Sequence, residues 1–281
     1  MGADGRARVW TTLPTNGQGL LTTFAQLVAE TLGLEHADVA VETPDSAVGA
    51  LHGTGTYASR SAIAGGSAIK GAASALRARL LEDAAARLEI AGGAVRVVGA
   101  PDRAVPIGEL VRANAERFAV SEHYDPPSIS YPYKTHACRV EVDPETGGIE
   151  LDRYVIVEDC GTLISPPIVE GQTHGATAQS IGGAIYESVA YDDGAQLQNA
   201  SLMDYLVPTV SDLPELEVTH LQIPAPATAY GAKGAGEGGT LGPPAAIANA
   251  VADALSTEMN ELLLTPERVR LAAQEALAWL S

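Results

Sequence analysis

Residues 231–244 read Gly-Ala-Lys-Gly-Ala-Gly-Glu-Gly-Gly-Thr-Leu-Gly-Pro-Pro, a run too rich in glycine and proline to be an ordinary helix or strand. Glycine lets a backbone bend sharply and lets another molecule approach it closely. The run holds one carboxylate, Glu237, and a helix-like stretch from Ala245 to Leu255 follows directly. A charged side chain in such a loop is held by unusual backbone rather than lying on a solvated face. That combination points to a carboxylate aimed at a ligand. Gly234, Gly236 and Gly239 satisfy a GxGxxG pattern, but the context of a dinucleotide-binding turn is missing. The preceding Pro224 to Tyr230 is broken by proline, and Glu237 would repel a pyrophosphate. No Lys-Ser or Lys-Thr follows the glycines, so the run is not a P-loop.

The remaining text mixes helix and strand periods without a regular βαβ alternation, which predicts an α+β fold. Ala7 to Thr12 reads as a strand, Leu20 to Leu32 as a helix stopped by Gly33, and Val39 to Glu42 as a short strand. Ser67 to Leu88 reads as one long helix, and Val95 to Val98 as a strand beyond Gly92-Gly93. Pro126-Pro127 and Pro132 suggest a lobe boundary. A hairpin is expected from Cys138 to Val142 and Leu151 to Val157 around the turn at Asp143 to Gly148. Helices are expected over Pro166 to Tyr186, Ala245 to Leu263 and Pro266 to Leu280, with a strand at Leu216 to Gln222.

Charge removes several classes of partner. The formal net charge is −18, from 35 acidic against 17 basic residues, and no run of Lys or Arg interrupts it. Nucleic acid and anionic membranes are therefore not expected as partners. No apolar stretch reaches membrane-spanning length, and the opening Met-Gly-Ala-Asp-Gly-Arg has no signal-peptide core, so a cytoplasmic location is expected. The two cysteines, Cys138 and Cys160, have no zinc or CxxC spacing and read as buried reduced thiols. His136 and His174 have no partner at metal-ligand spacing, and no protein-ligated metal is expected.

Two further loops carry donors. Gly49 to Gly66 ends in Gly55-Thr56-Tyr57-Ala58-Ser59-Arg60-Ser61 and leads to a helix. Small residues before a helix expose N–H groups and hydroxyls that suit phosphate-like oxygens, and they serve equally well as a helix cap. Gln18 stands between Gly17 and Gly19, and Gln172 follows Gly171. A glutamine flanked by glycine can offer its amide to a ligand, although a solvated polar residue fits the same pattern.

Taken together, these loops resemble the C-terminal molybdopterin-binding half of the large subunit of the xanthine dehydrogenase / aldehyde oxidase family, the molybdenum hydroxylases. Asn16-Gly17-Gln18-Gly19-Leu20-Leu21-Thr22 resembles the family's GQGxxT loop, and Thr54 to Gly66 its small-residue cofactor loop. Asp159-Cys160-Gly161 through Gly171-Gln172 to Gln179 resembles the DCG…NP…GQ…Q segment, and Lys233 to Glu237 the KGxGE loop. The four motifs stand in the family's order and cover essentially the whole chain. Ser165 replaces the usual Asn and Ser180 the usual Gly, changes expected to alter packing rather than abolish chemistry.

The resemblance implies a molybdopterin-binding domain of two mixed α/β lobes, approximately 1–125 and 126–281. It implies a molybdenum cofactor held by the pterin dithiolene, in the cytosine dinucleotide form, and hydroxylation of an aldehyde or aromatic N-heterocycle with water-derived oxygen. Glu237 would be the general base, enclosed in a dry glycine pocket. Gly17, Gln18, Gly19, Tyr57, Ala58, Ser59, Ser61, Gln172, Gly234, Ala235 and Gly236 would bind the cofactor. The family's other molybdopterin-binding half, on the N-terminal side, is absent from this sequence. The resemblance thus implies a split subunit or fragment completed by a partner chain carrying that half, with iron–sulfur (2Fe-2S) and FAD subunits beyond it. Two alternatives stand beside this reading. One is a carbon monoxide dehydrogenase-like member, disfavoured by the hydroxylase form of the text after Glu237. The other is a non-catalytic scaffold or cofactor-insertion protein, disfavoured by the joint presence of Glu237, Gln18 and Gln172.

Overall fold

A computed structural model describes residues 1–43, 53, 55–82, 88–113, 115–128 and 130–280. It divides into two compact units, each built from separate stretches of sequence. The first comprises Met1–Tyr131, Gly161–Ile168 and Ile223–Gly234; the second Pro132–Cys160, Val169–Gln222 and Ala235–Ser281. Helices and sheets are mixed in both, so the fold is α+β. Among the described residues, no helix is long and apolar enough to cross a membrane.

In the first unit, β1 (Ala7–Trp10) pairs in parallel with β2 (Val39–Glu42), and α1 (Leu20–Leu32) connects them. Phe24, Leu27, Val28 and Leu32 recur at helical spacing on α1 and are buried. They share a core with Ile69, Ala73, Leu76 and Leu80 of α2 (Gly66–Leu81). Gly33 ends α1 in the left-handed conformation, and its N–H donates to Ala29 O. The long helix expected to reach Leu88 ends at Leu81; residues 83–87 lie outside the described set. Leu88 instead opens a strand, because Gly92 and Gly93, both at positive φ, turn a hairpin there. The resulting antiparallel sheet is β3 (Leu88–Ala91), β4 (Ala94–Val97) and β5 (Ala100–Pro106), and α3 (Ile107–Ala113) follows it.

The second unit centres on a three-stranded sheet. β6 (Tyr133–Val142) runs antiparallel to β7 (Ile149–Asp159), and β8 (Leu216–His220) lies parallel on the far side of β7. The turn forms where expected. Asp143 accepts from Thr146 Oγ1 at 2.7 Å and from Glu145 N at 2.9 Å, which holds its carboxyl below the ordinary value. Tyr154 and Ile156 pack with Ile181 and Ile185 of α4 (Pro166–Ile185), Ile247 and Val251 of α5 (Pro243–Leu255), and Val269 of α6 (Pro266–Leu280). Helix α5 stops at Leu255 rather than at Leu263. Ser256 turns left-handed there, and the next amide, Thr257 N, reaches back to Ala252 O.

Candidate functional site

The second unit brings Gln172 and Glu237 together. Gly171, Gln172, Gly175, Ala176 and Gln179 of α4 line a cleft of about 260 Å³ with Gly236, Glu237 and Thr240. A Cβ added at Gly171 or Gly175 would meet nothing within 4 Å, so glycine keeps that face of the helix bare. Opposite it, Gly238–Thr240 form a single 3₁₀ turn immediately after Glu237. Thr240 donates to Glu237 O from its N at 3.1 Å and from its Oγ1 at 2.7 Å. Ser180 Oγ donates to Thr240 O at 2.6 Å, tying the turn to α4. The backbone of Glu237 is therefore anchored.

Glu237 itself is exposed, not enclosed as its glycine surroundings suggest from sequence. The reason is local. The glycines on both sides have no side chains with which to cover it, and the turn faces an open cleft.

Beneath this turn lies a buried charge cluster. The register places Lys134 opposite Glu158, and Glu158 opposite His220. The Lys134 side chain is 4% exposed and that of Glu158 0%, and the two form an ion pair. Thr173 Oγ1 accepts from Lys134 Nζ at 2.9 Å and lies 2.9 and 2.8 Å from the two Glu158 oxygens, to one of which it donates. His220 Nδ1 stands 2.8 Å from Glu158 Oε1, an ion-pair distance without good hydrogen-bond alignment. A buried carboxylate is tolerable only when its oxygens are met in this way. Burial, with repulsion from Lys134, holds His136 below the ordinary histidine value, and Glu158 offsets this in part. Burial, with repulsion from Glu158, pushes the Cys160 thiol up to about 12. Cys160 is buried as expected, whereas Cys138 is only half-buried.

In the first unit, three stretches singled out in the sequence meet. Pro14 O accepts from Gln18 Nε2 at 3.3 Å and from Thr56 Oγ1 at 2.9 Å. Gln18 Oε1 accepts from Asn16 N at 2.5 Å, so the amide folds back on its own loop. Gly17 and Gly19 have positive φ, which lets the loop make that bend. Ala58 and Ser59 are left-handed at φ +50 and +53, a rare state for residues other than glycine. Arg60 lies over the Tyr57 ring and donates to its hydroxyl. A π-helical turn, Ser61–Gly65, then leads into α2. Gly234 closes on this loop, since a Cβ there would lie 2.8 Å from Ser59 Cβ. Thr54, part of the same sequence motif, lies outside the described residues.

Gly17, Gln18, Gly19, Tyr57, Ala58, Ser59, Ser61 and Gly234 thus belong to the first unit, and Gln172, Ala235, Gly236 and Glu237 to the second. Sequence reasoning missed Lys134, Glu158, Thr173 and His220. A signal existed: the expected hairpin, extended outward from Cys138 and Val157, reaches Lys134 and Glu158.

A family model described as the molybdopterin cofactor-binding domain matches residues 1–214. The chain is 36% identical to the nicotine 6-hydroxylase large subunit of Paenarthrobacter nicotinovorans, over 96% of this chain and 35% of that one. It is 33% identical to the carbon monoxide dehydrogenase large chain of Afipia carboxidovorans, over 85% of this chain and 31% of that one. The crystal structure of quinoline 2-oxidoreductase from Pseudomonas putida 86 superimposes with a TM-score of 0.85 at 36% identity, covering 97% of this chain and 37% of that one. The chain spans about a third of the length of the curated relatives it matches.

Proposed function

The chain belongs to the molybdopterin cofactor-binding domain family, and from that membership we propose that it serves a molybdenum hydroxylase acting on an aldehyde or an aromatic N-heterocycle. The relatives named for nicotine and quinoline, both nitrogen heterocycles, support this substrate class. The observation that carries the reading is the pairing of Gln172 and Glu237 in one glycine-lined cleft.

The donor chemistry fits an anionic cofactor. The stretches 14–19, 56–61 and 231–234 contain no Asp or Glu and include Arg60 and Lys233. Among them, Gly17, Gln18, Gly19, Tyr57, Ala58, Ser59, Ser61 and Gly234 would present amides, hydroxyls and backbone N–H groups to pterin and phosphate oxygens. Gln18 would exchange its bond to Pro14 for one to the cofactor. Ala235 and Gly236 would add backbone contacts. When bound, the molybdenum cofactor supplies the two-electron oxidation.

Glu237 would act as general base, holding at its carboxylate the proton released from the attacking water-derived oxygen. Gln172 would orient the reacting group from the opposite wall through its neutral amide, without competing for that proton. The cofactor would be the cytosine dinucleotide form. Partner chains would carry the other molybdopterin-binding half, the 2Fe-2S clusters and FAD.

The test is made on the complex purified from its source. Molybdenum and pterin analysis with mass identification of the nucleotide, native mass spectrometry, and turnover in ¹⁸O-labelled water are measured together. Label entering an oxidised aldehyde or heterocycle is expected. A complex without molybdenum, or turnover without label, rejects the reading.

A further inference from the structure

We propose that Lys134 and Glu158 form a positioning pair for the turn that carries Glu237, an inference that rests on the general-base reading of Glu237. The Lys134 stem lies directly under the turn: a Cβ on Gly238 would stand 2.7 Å from Lys134 Cε and 3.1 Å from Cδ. Its Nζ lies 3.5 Å from Ala235 O, at the outer limit of a hydrogen bond. The lysine therefore touches the backbone on both sides of Glu237.

The lysine head is held from below. Glu158, fully buried, pairs with its charge, and Thr173 Oγ1 accepts a hydrogen bond from it at 2.9 Å. Thr173 also locks Glu158 from α4, one residue from Gln172. One buried cluster thus supports both walls of the cleft, the Glu237 turn through Lys134 and the Gln172 helix through Thr173. An apolar side chain could fill the same volume, but it would not couple the position of the turn to that of the helix. Preorganised charge and hydrogen-bond partners hold a reacting group where its geometry matters most.

The experiment compares Lys134→Met and the double variant Lys134→Met/Glu158→Gln with the wild-type complex. The single variant takes the lysine from a buried Glu158 and leaves only Thr173 and His220 beside it, so its folding can fail. The double variant removes both charges at similar volume and is expected to fold. Hydrogen exchange is read over residues 235–242 and over β6 to β8, alongside kcat and KM. In the double variant, exchange over 235–242 is expected to rise about tenfold or more while the strands are unchanged. A fall in kcat of about tenfold with KM unaltered is expected beside it. A folded double variant with wild-type exchange over 235–242 overturns the proposal. So does a double variant that fails to fold, since the pair would then be required by the core rather than by the turn. Glu237→Gln separates this from the parent reading. Retained turnover in that variant rejects the general base, while the exchange result on the double variant still judges the positioning pair.

Discussion

A methyl group placed on Gly239 would stand 2.8 Å from Ala176 Cβ and 3.1 Å from Thr173 O, so the turn after Glu237 rests directly on α4. Gly239→Ala must push the turn off the helix, because neither neighbour is the end of a flexible side chain. A loss of about 1–3 kcal/mol in the stability of the second unit is expected, as for other overpacked sites. Thermal denaturation checks it, and an unchanged midpoint contradicts the close packing.

Glu237→Gln preserves shape and removes the carboxylate proposed as the proton acceptor. Turnover is expected to fall roughly 10²–10⁴-fold with molybdenum and pterin content unchanged. Reduction of the metal centre by substrate at the wild-type rate in this variant would show that the base lies elsewhere.

Gln172→Ala and Gln18→Ala should differ from Glu237→Gln in kind. Each deletes amide hydrogen bonds with net worth on the order of 0.5–1.5 kcal/mol. Gln172→Ala is expected to slow turnover about tenfold. Gln18→Ala also frees the loop that its amide closes onto Asn16 and Pro14, and is expected to lower cofactor content. Full metal content and full activity in both variants would remove these residues from the site.

His136 predicts an acid limit to stability. Its Nδ1 lies 3.2 Å from the Tyr154 hydroxyl, and burial with Lys134 holds its pKa below the ordinary 6.5. The unfolded chain therefore binds this proton more readily than the folded one. The contribution is fully present above pH 6.5 and is lost as pH falls from there toward the lowered folded value. Denaturant midpoints measured from pH 7.5 to 5.5 should decline in the wild type and decline less in His136→Phe. Equal slopes in the two proteins would assign the acid sensitivity to other groups.

Much of the scaffold was legible because its signals are local. The bounds of α1 and β2 follow from apolar spacing and a glycine stop, within a few residues along the chain. The turn at Asp143 to Gly148 follows from its own side-chain bonds, and the irregular run around Glu237 from glycine content alone. Where a local signal competed with a more distant one, the text misled. Helical propensity carried the expected second helix to Leu88, whereas the Gly92-Gly93 turn recruits Leu88–Ala91 as a strand. The expected run to Leu263 ends at Leu255, where a left-handed serine stops the helix.

By itself, the sequence determined which stretches are irregular glycine-rich loops bearing an isolated amide or carboxylate, since glycine runs and lone polar side chains declare themselves without a partner. Only the tertiary structure decided what surrounds them. It set Gln172 across a cleft from Glu237, left that carboxylate exposed, folded the Gln18 amide onto its own loop, and aligned Lys134, Glu158 and His220 across three strands. The physical reason is register. A strand's side chains alternate between faces, so a slip of one residue would move Lys134 or Glu158 to the other face. That alignment is set by long-range pairing and core packing, which no short stretch of the chain encodes.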